Sequence, residues 1–244
     1  MLNLDGDTMS AALNQKVGAV IDMRAYAAAT APSSDWLQGR AKPAFADAAT
    51  QVAAFALRGE GQVEALPTDE FVLVLAGRLE IESDAGTLVI EPDNGAAVPV
   101  GTSFQWRASD DLLAIVYAAP TQAPGSPALS VLIDKNAPLS PSNPPPPENL
   151  LSPAPTCRGN SDYRSANQEF ACGTWDSTPY RRRQIPYRQV ELMLLLEGKV
   201  TFSDDRGSVT FKKGDVFMFV RGDGCEWLSE EYVKKVFAIQ RPVA

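Results

Sequence analysis

The chain has 244 residues, a formal net charge of −8 and no histidine. Without imidazole there is no Ser-His-Asp or Cys-His nucleophile system, and no His-based zinc or non-haem iron centre. An acidic surface repels phosphate backbones, which argues against nucleic acid as a partner. Apolar residues make up 45% and charged residues 21%, the composition of a chain that can bury a core. Three cysteines without C-x-x-C spacing indicate neither a disulfide framework nor a zinc cluster, and a reducing, cytoplasmic location is expected. The acidic N-terminus Met1–Asp7 does not read as a secretory signal, and no apolar run approaches the roughly 18 residues of a membrane helix.

In chain order, Thr8–Lys16 carries the only helical periodicity, and it is weak. Phe71–Leu75 is apolar at every position, as expected of a strand buried on both faces. Leu79-Glu-Ile-Glu82 alternates apolar and polar like a half-buried strand, Asp84-Ala-Gly86 is a hairpin turn signal, and Pro92-Asp-Asn94 is a further turn. The Pro120–Pro127 stretch closes this first unit. Ser140–Glu148 holds too many prolines for strand or helix, and an extended arm over about residues 137–156 is expected to lie across a neighbouring sheet. Leu192–Leu196 is again apolar throughout, Val200-Thr-Phe-Ser203 alternates, and Asp205-Arg-Gly207 and Lys213-Gly-Asp215 mark turns.

These second elements repeat the first. With Glu70-Phe-Val-Leu-Val-Leu-Ala-Gly77 set on Glu191-Leu-Met-Leu-Leu-Leu-Glu-Gly198, an ungapped alignment also brings Asp84 onto Asp205, Gly86 onto Gly207, Gly101 onto Gly222 and Trp106 onto Trp227. Short strands with regular turns, in two copies, predict an all-β chain of two barrels or jelly rolls: residues 1–122, and residues 123–244 opening with the proline-rich arm.

The motifs resemble those of the cupin superfamily. Glu-x6-Gly is the second half of the first cupin motif and occurs at Glu70…Gly77 and Glu191…Gly198. The second cupin motif is matched in part by Gly214-x5-Val220-Arg-Gly222-x2-Cys225 and by Asp93-x5-Pro99-Val-Gly101-x2-Phe104. Gly173-Thr-Trp-Asp-Ser-Thr-Pro179 and Val233–Ile239 bring the second copy nearest to cupins related to ethanolamine utilisation and, more distantly, to ureidoglycine aminohydrolase. The resemblance implies two tandem RmlC-like jelly-roll barrels and a habit of homodimer formation.

In metal-binding cupins three histidines and the motif-one glutamate hold a divalent ion. Those positions fall on Glu64, Leu66, Glu70 and Phe104 in the first copy, and on Ile185, Tyr187, Glu191 and Cys225 in the second. Leucine, isoleucine and phenylalanine cannot ligate, so no metal and no other cofactor is expected in either barrel; a hard cation between Glu64 and Glu70 is the one alternative.

Strand parity turns Glu191, Met193 and Leu195 into the second barrel, and Cys225 with Trp227. Tyr187, Glu191, Cys225, Trp227, Trp175 and Arg182 then form the candidate ligand site, an aromatic pocket with one carboxylate suited to a small polar organic or sugar-like molecule. An arginine among Arg181, Arg182, Arg183 and Arg188 would pair with Glu191. In the first barrel Val72, Phe104 and Trp106 point inward and read as a filled core. Cys225 could act as a nucleophile only beside a lysine or arginine, and a buried structural thiol is the simpler reading. Three functions remain open: a metal-independent binding protein, an isomerase or lyase using Glu191 and Tyr187 as acid and base, and a structural protein with filled barrels.

Overall fold

The computed structural model describes residues 17–18, 20–43, 51–121, 123–222 and 224–241. The weak helix expected over Thr8–Lys16 lies outside them. Among the described residues the chain is nearly all β, with one short α-helix at Met23–Ala27 that Asp22 caps through the Ala25 amide at 2.9 Å, and a single 3-10 turn at Pro147–Asn149. No helix among them is long and apolar enough to cross a membrane.

The strands form four sheets. A six-stranded sheet contains Val52–Leu57, Asp69–Ala76, Gly95–Val98 and Leu113–Ala119, and faces a four-stranded sheet of Gly59–Val63, Leu79–Ser83, Gly86–Ile90 and Phe104–Ala108. These two enclose the N-terminal barrel. A seven-stranded sheet contains Cys157–Arg164, Phe170–Ser177, Glu191–Glu197, Val216–Phe219 and Val233–Gln240, and faces a four-stranded sheet of Tyr180–Pro186, Lys199–Asp204, Gly207–Lys212 and Gly224–Ser229. These enclose the C-terminal barrel. The chain is thus two tandem jelly-roll barrels, as the repeat implied.

The all-apolar strands sit at the centre because each serves two cores. Val72 and Val74 point into the N-terminal barrel, among Phe55, Ile81, Phe104 and Trp106. Their alternates Phe71, Leu73 and Leu75 join a separate core shared by both barrels, with Leu192, Leu194 and Met218. Met193 and Leu195 turn the other way, into the C-terminal barrel with Phe202, Phe217 and Trp227. Side-chain alternation along a strand produces this division, and burial of both faces is why no polar position interrupts it. The tandem barrels are therefore joined face to face through the two large sheets.

Each motif-one strand ends at a glycine held at positive φ, +74° at Gly77 and +77° at Gly198. A Cβ at Gly198 would sit 2.1 Å from the Tyr232 carbonyl oxygen, and one at Gly77 would sit 2.7 Å from the Leu112 backbone. The conformation and the close approach both require glycine.

The two large sheets also exchange strands. Val20–Asp22, from the start of the chain, pairs antiparallel with Val216–Phe219 of the C-terminal barrel. Val131–Leu132, which follows the expected boundary at 122, pairs with Ala96 and Ala97 of the N-terminal barrel. The proline-rich arm is neither strandless nor a free linker. Ser140–Ser142 extends the seven-stranded sheet along Cys157–Gly159, and the Leu151 amide donates to the Arg181 carbonyl at 2.9 Å.

Candidate ligand site

Glu70 and Glu191 occupy equivalent positions in the two barrels, and each is neutralised by a basic side chain of the chain itself. In the N-terminal barrel the segment after Pro32–Ser33 brings Trp36 and Arg40 to Glu70. Arg40 grips Glu70 with two nitrogens, Nη1 to Oε1 at 2.8 Å and Nη2 to Oε2 at 3.0 Å. Trp36 donates its indole N–H to Glu70 Oε2 at 3.0 Å, and its ring packs edge-on against Phe55 and Phe104 with centroids 5.8 and 4.9 Å apart. Trp36 is 1% exposed. It fills the lumen where a ligand would enter, together with the inward Val72, Phe104 and Trp106. Glu64 is exposed, with its Oε1 accepting from Gln62 at 3.0 Å, while both oxygens of buried Glu70 are already engaged. The pair does not offer free carboxylates to a hard cation.

In the C-terminal barrel the corresponding cation comes from a strand. Lys235 lies within Val233–Gln240, directly opposite Trp175 and Leu195. Its ammonium donates to Glu191 Oε1 at 2.9 Å and to the Met193 sulfur at 3.0 Å, and sits over the rings of Trp175 and Trp227 at 4.8 and 5.6 Å. The sequence-based expectation that an arginine would pair with Glu191 is corrected here. Arg181 pairs instead with Glu226, and Arg182 donates to the Tyr187 hydroxyl at 2.7 Å. Lys235 shares strand parity with buried Val233, which is the sequence signal for its inward position.

These residues line a cavity of about 400 Å³. Trp175, Arg182, Tyr187, Glu191 and Trp227 all face it, with Lys235 and Phe219 beside them and Pro144–Pro146 at its edge. Tyr187 stacks on Phe219 with centroids 3.8 Å apart, and Tyr180 stacks on Trp227 at 5.5 Å. Cys225 is fully buried behind the cavity, opposite Ile185, rather than lining it. Burial pushes its thiol up to about 12, against the opposing pulls of the Arg182 charge and the Tyr187 hydroxyl. Burial also raises the Tyr187 phenol well above its ordinary value, although Arg182 opposes this. Neither group is ionised near neutral pH. Glu191 and Tyr187 each bond to a different cation, not to one another.

The cupin fold implies a divalent metal at these motif positions. The residues present do not fit one. In the C-terminal barrel Ile185 supplies no donor atom, Cys225 is held as a thiol, and Glu191 Oε1 is bound to an ammonium. In the N-terminal barrel Leu66 and Phe104 supply none, and Arg40 takes Glu70. Among the described residues no three acidic or cysteine side chains cluster as a metal site.

A family model described as an EutQ-like cupin domain matches residues 164–237. A protein of unknown function from Pseudomonas syringae pv. tomato str. DC3000, a member of the DUF861 family, has a crystal structure that superposes with a TM-score of 0.75. It is 31% identical, and the match covers 85% of this chain and 89% of that one. A cupin 2 conserved barrel domain protein from Leptotrichia buccalis is 12% identical with a TM-score of 0.55, over 94% of this chain and all of that one. No curated protein matches the chain.

Proposed function

We propose that this chain, which belongs to the DUF861 family of the cupin superfamily, binds a small polar organic molecule in its C-terminal barrel without a metal. The observation that carries this reading is the asymmetry between the two lumens. One is filled by Trp36; the other keeps a cavity of about 400 Å³, a volume within the range of small-molecule sites, lined by aromatic rings and converging charges. The N-terminal barrel is then a scaffold with a filled lumen.

An isomerase or lyase with Glu191 and Tyr187 as acid and base is a weaker reading. Glu191 is ion-paired to Lys235, and the Tyr187 phenol is held far from the pKa a base needs near neutral pH.

Thermal shift against sugars, organic acids and amines, with elemental analysis of the purified protein, tests the proposal. One ligand class should raise the Tm of the wild type and fail to do so in Trp175→Leu, which removes a wall of the cavity. Stoichiometric transition metal in the protein, or ligand stabilisation unchanged in Trp175→Leu, would overturn it.

A further inference from the structure

The charges around the cavity do not balance. Arg182, Lys235 and Arg241 line it, against the single carboxylate of Glu191. Lys235 and Glu191 neutralise each other at 2.9 Å. Among the described residues Arg182 has no such partner. It is 5% exposed, and among the described residues its guanidinium donates only to the Tyr187 hydroxyl at 2.7 Å and, weakly, to the Arg183 carbonyl at 3.5 Å. A guanidinium carries five N–H donors and stays charged at any accessible pH. Holding that charge out of water without a counter-ion is costly, and the free donors face a cavity.

The N-terminal barrel supplies the comparison. There the charges close: Arg40 meets Glu70 through two nitrogens, and the rest of the lumen is apolar. Among the described residues no surplus cation is left in that lumen, and the occupant is the neutral indole of Trp36, which offers a flat ring and one N–H to the glutamate. In the C-terminal barrel the pocket keeps aromatic walls from Trp175, Tyr187, Phe219 and Trp227, but adds an uncompensated guanidinium.

We infer that the ligand of the C-terminal barrel is an organic carboxylate with a flat, apolar body. Its carboxylate meets the donor fork of Arg182, whose planar geometry suits two parallel hydrogen bonds to a carboxylate. Its body lies among the aromatic walls, much as the indole does in the other lumen. A neutral sugar satisfies the walls and Glu191 but leaves the Arg182 charge uncompensated. An amine adds positive charge to a site already in surplus. The cavity also has room to grow: a second hollow of about 470 Å³ adjoins it and shares Asn143, Trp175, Phe237 and Arg241, so a longer acid can extend beneath the arm.

This inference rests on the reading of the C-terminal cavity as a ligand site, and one matched panel separates the two. Benzoate, benzamide, benzyl alcohol and glucose are titrated into the full chain, followed by tryptophan fluorescence and Tm. Benzoate is expected to bind and to raise the Tm, with benzamide weaker by about tenfold or more, because only the anion compensates the guanidinium. Arg182→Gln should reduce benzoate to the benzamide level, and Arg182→Lys, which keeps the charge but loses the fork, should fall between. If Arg182→Gln does not fold, the wild-type contrast of benzoate with benzamide still decides. Equal binding of benzoate and benzamide, or preference for glucose, overturns the carboxylate and leaves the site standing. Binding by none of the four overturns both the carboxylate and the site.

Discussion

Lys235 and Glu191 form an ion pair at 2.9 Å in the C-terminal barrel, their side chains 9% and 14% exposed. Glu191 stands at the motif-one glutamate position, and its partner there is a cation of the chain itself. Removal of one partner leaves the other charge largely buried and without its counter-ion. Lys235→Met is therefore expected to cost about 2–3 kcal/mol in urea unfolding, and adding Glu191→Gln should recover much of the loss. A double-mutant cycle with additive losses would show that the two groups are not coupled.

Trp36 is the plug of the N-terminal barrel, and its removal should reopen the lumen. Trp36→Ala deletes a fully buried ring and leaves Glu70 Oε2 with one donor fewer. The expected cost is about 3–5 kcal/mol, the range for large-to-small changes in a core. An apolar cavity of that shape accepts a ring of matching size. Free indole added to Trp36→Ala should restore part of the lost Tm and leave the wild type unchanged. A variant indifferent to indole would mean that the lumen had collapsed around the deletion.

The three cysteines are buried and none forms a disulfide. Burial pushes Cys157 up to about 11 and Cys225 up to about 12, and raises Cys172 well above its usual range. Thiolate is the reactive form, so none should react with a disulfide reagent at pH 8 until the protein unfolds. The same shifts fix a pH dependence. Near pH 7, well below the unfolded value of about 8.5, the thiols are protonated in both states and cost nothing. Above that value the unfolded chain ionises while the folded one does not, so stability falls as pH rises from there towards the folded values near 11 and 12. Denaturation midpoints measured between pH 7 and 10.5 should decline at the alkaline end, and less steeply in Cys225→Ala. Rapid labelling of the native protein at pH 8 would contradict the burial of all three.

Much of this architecture is legible in the sequence because it follows from side-chain alternation. The repeat of Glu-x6-Gly located both motif strands, and the all-apolar runs Phe71–Leu75 and Leu192–Leu196 marked strands that serve two cores. The inward turn of Trp227 followed from the same parity, and Tyr187 from its place in the motif. The cations did not. Arg40 and Trp36 reach Glu70 from a loop some thirty residues upstream, and no periodicity reports which loop residue folds into a lumen. The arginines before Glu191 are nearer to it in sequence than Lys235, but nearness in sequence is a poor guide to pairing across a sheet. Lys235 lies 44 residues beyond Glu191 but on the strand next to it. The strand exchange was equally hidden, since Val20–Asp22 looks like part of the first repeat unit while its hydrogen bonds go to the second barrel.

That exchange yields a prediction about independence. Val20, Ile21 and Met23 are only 4%, 1% and 0% exposed; Val20 and Ile21 pair along Met218 and Phe219, and Ile21 and Met23 enter the core between the barrels. A fragment of residues 123–244 lacks them, and also lacks the N-terminal sheet that covers Leu192 and Leu194. Each large apolar side chain withdrawn from burial costs about 1.5–3 kcal/mol, and the strand Val216–Phe219 is left as an open, apolar edge. The fragment is expected to aggregate or remain unfolded when expressed alone. Co-expression with residues 1–122 should yield a soluble complex held by both exchanged strands, and Ile21→Asp in the N-terminal fragment should abolish it. A monomeric, cooperatively folded fragment 123–244 with native Tm would show that the exchanged strand contributes little, and that the two barrels are separate folding units.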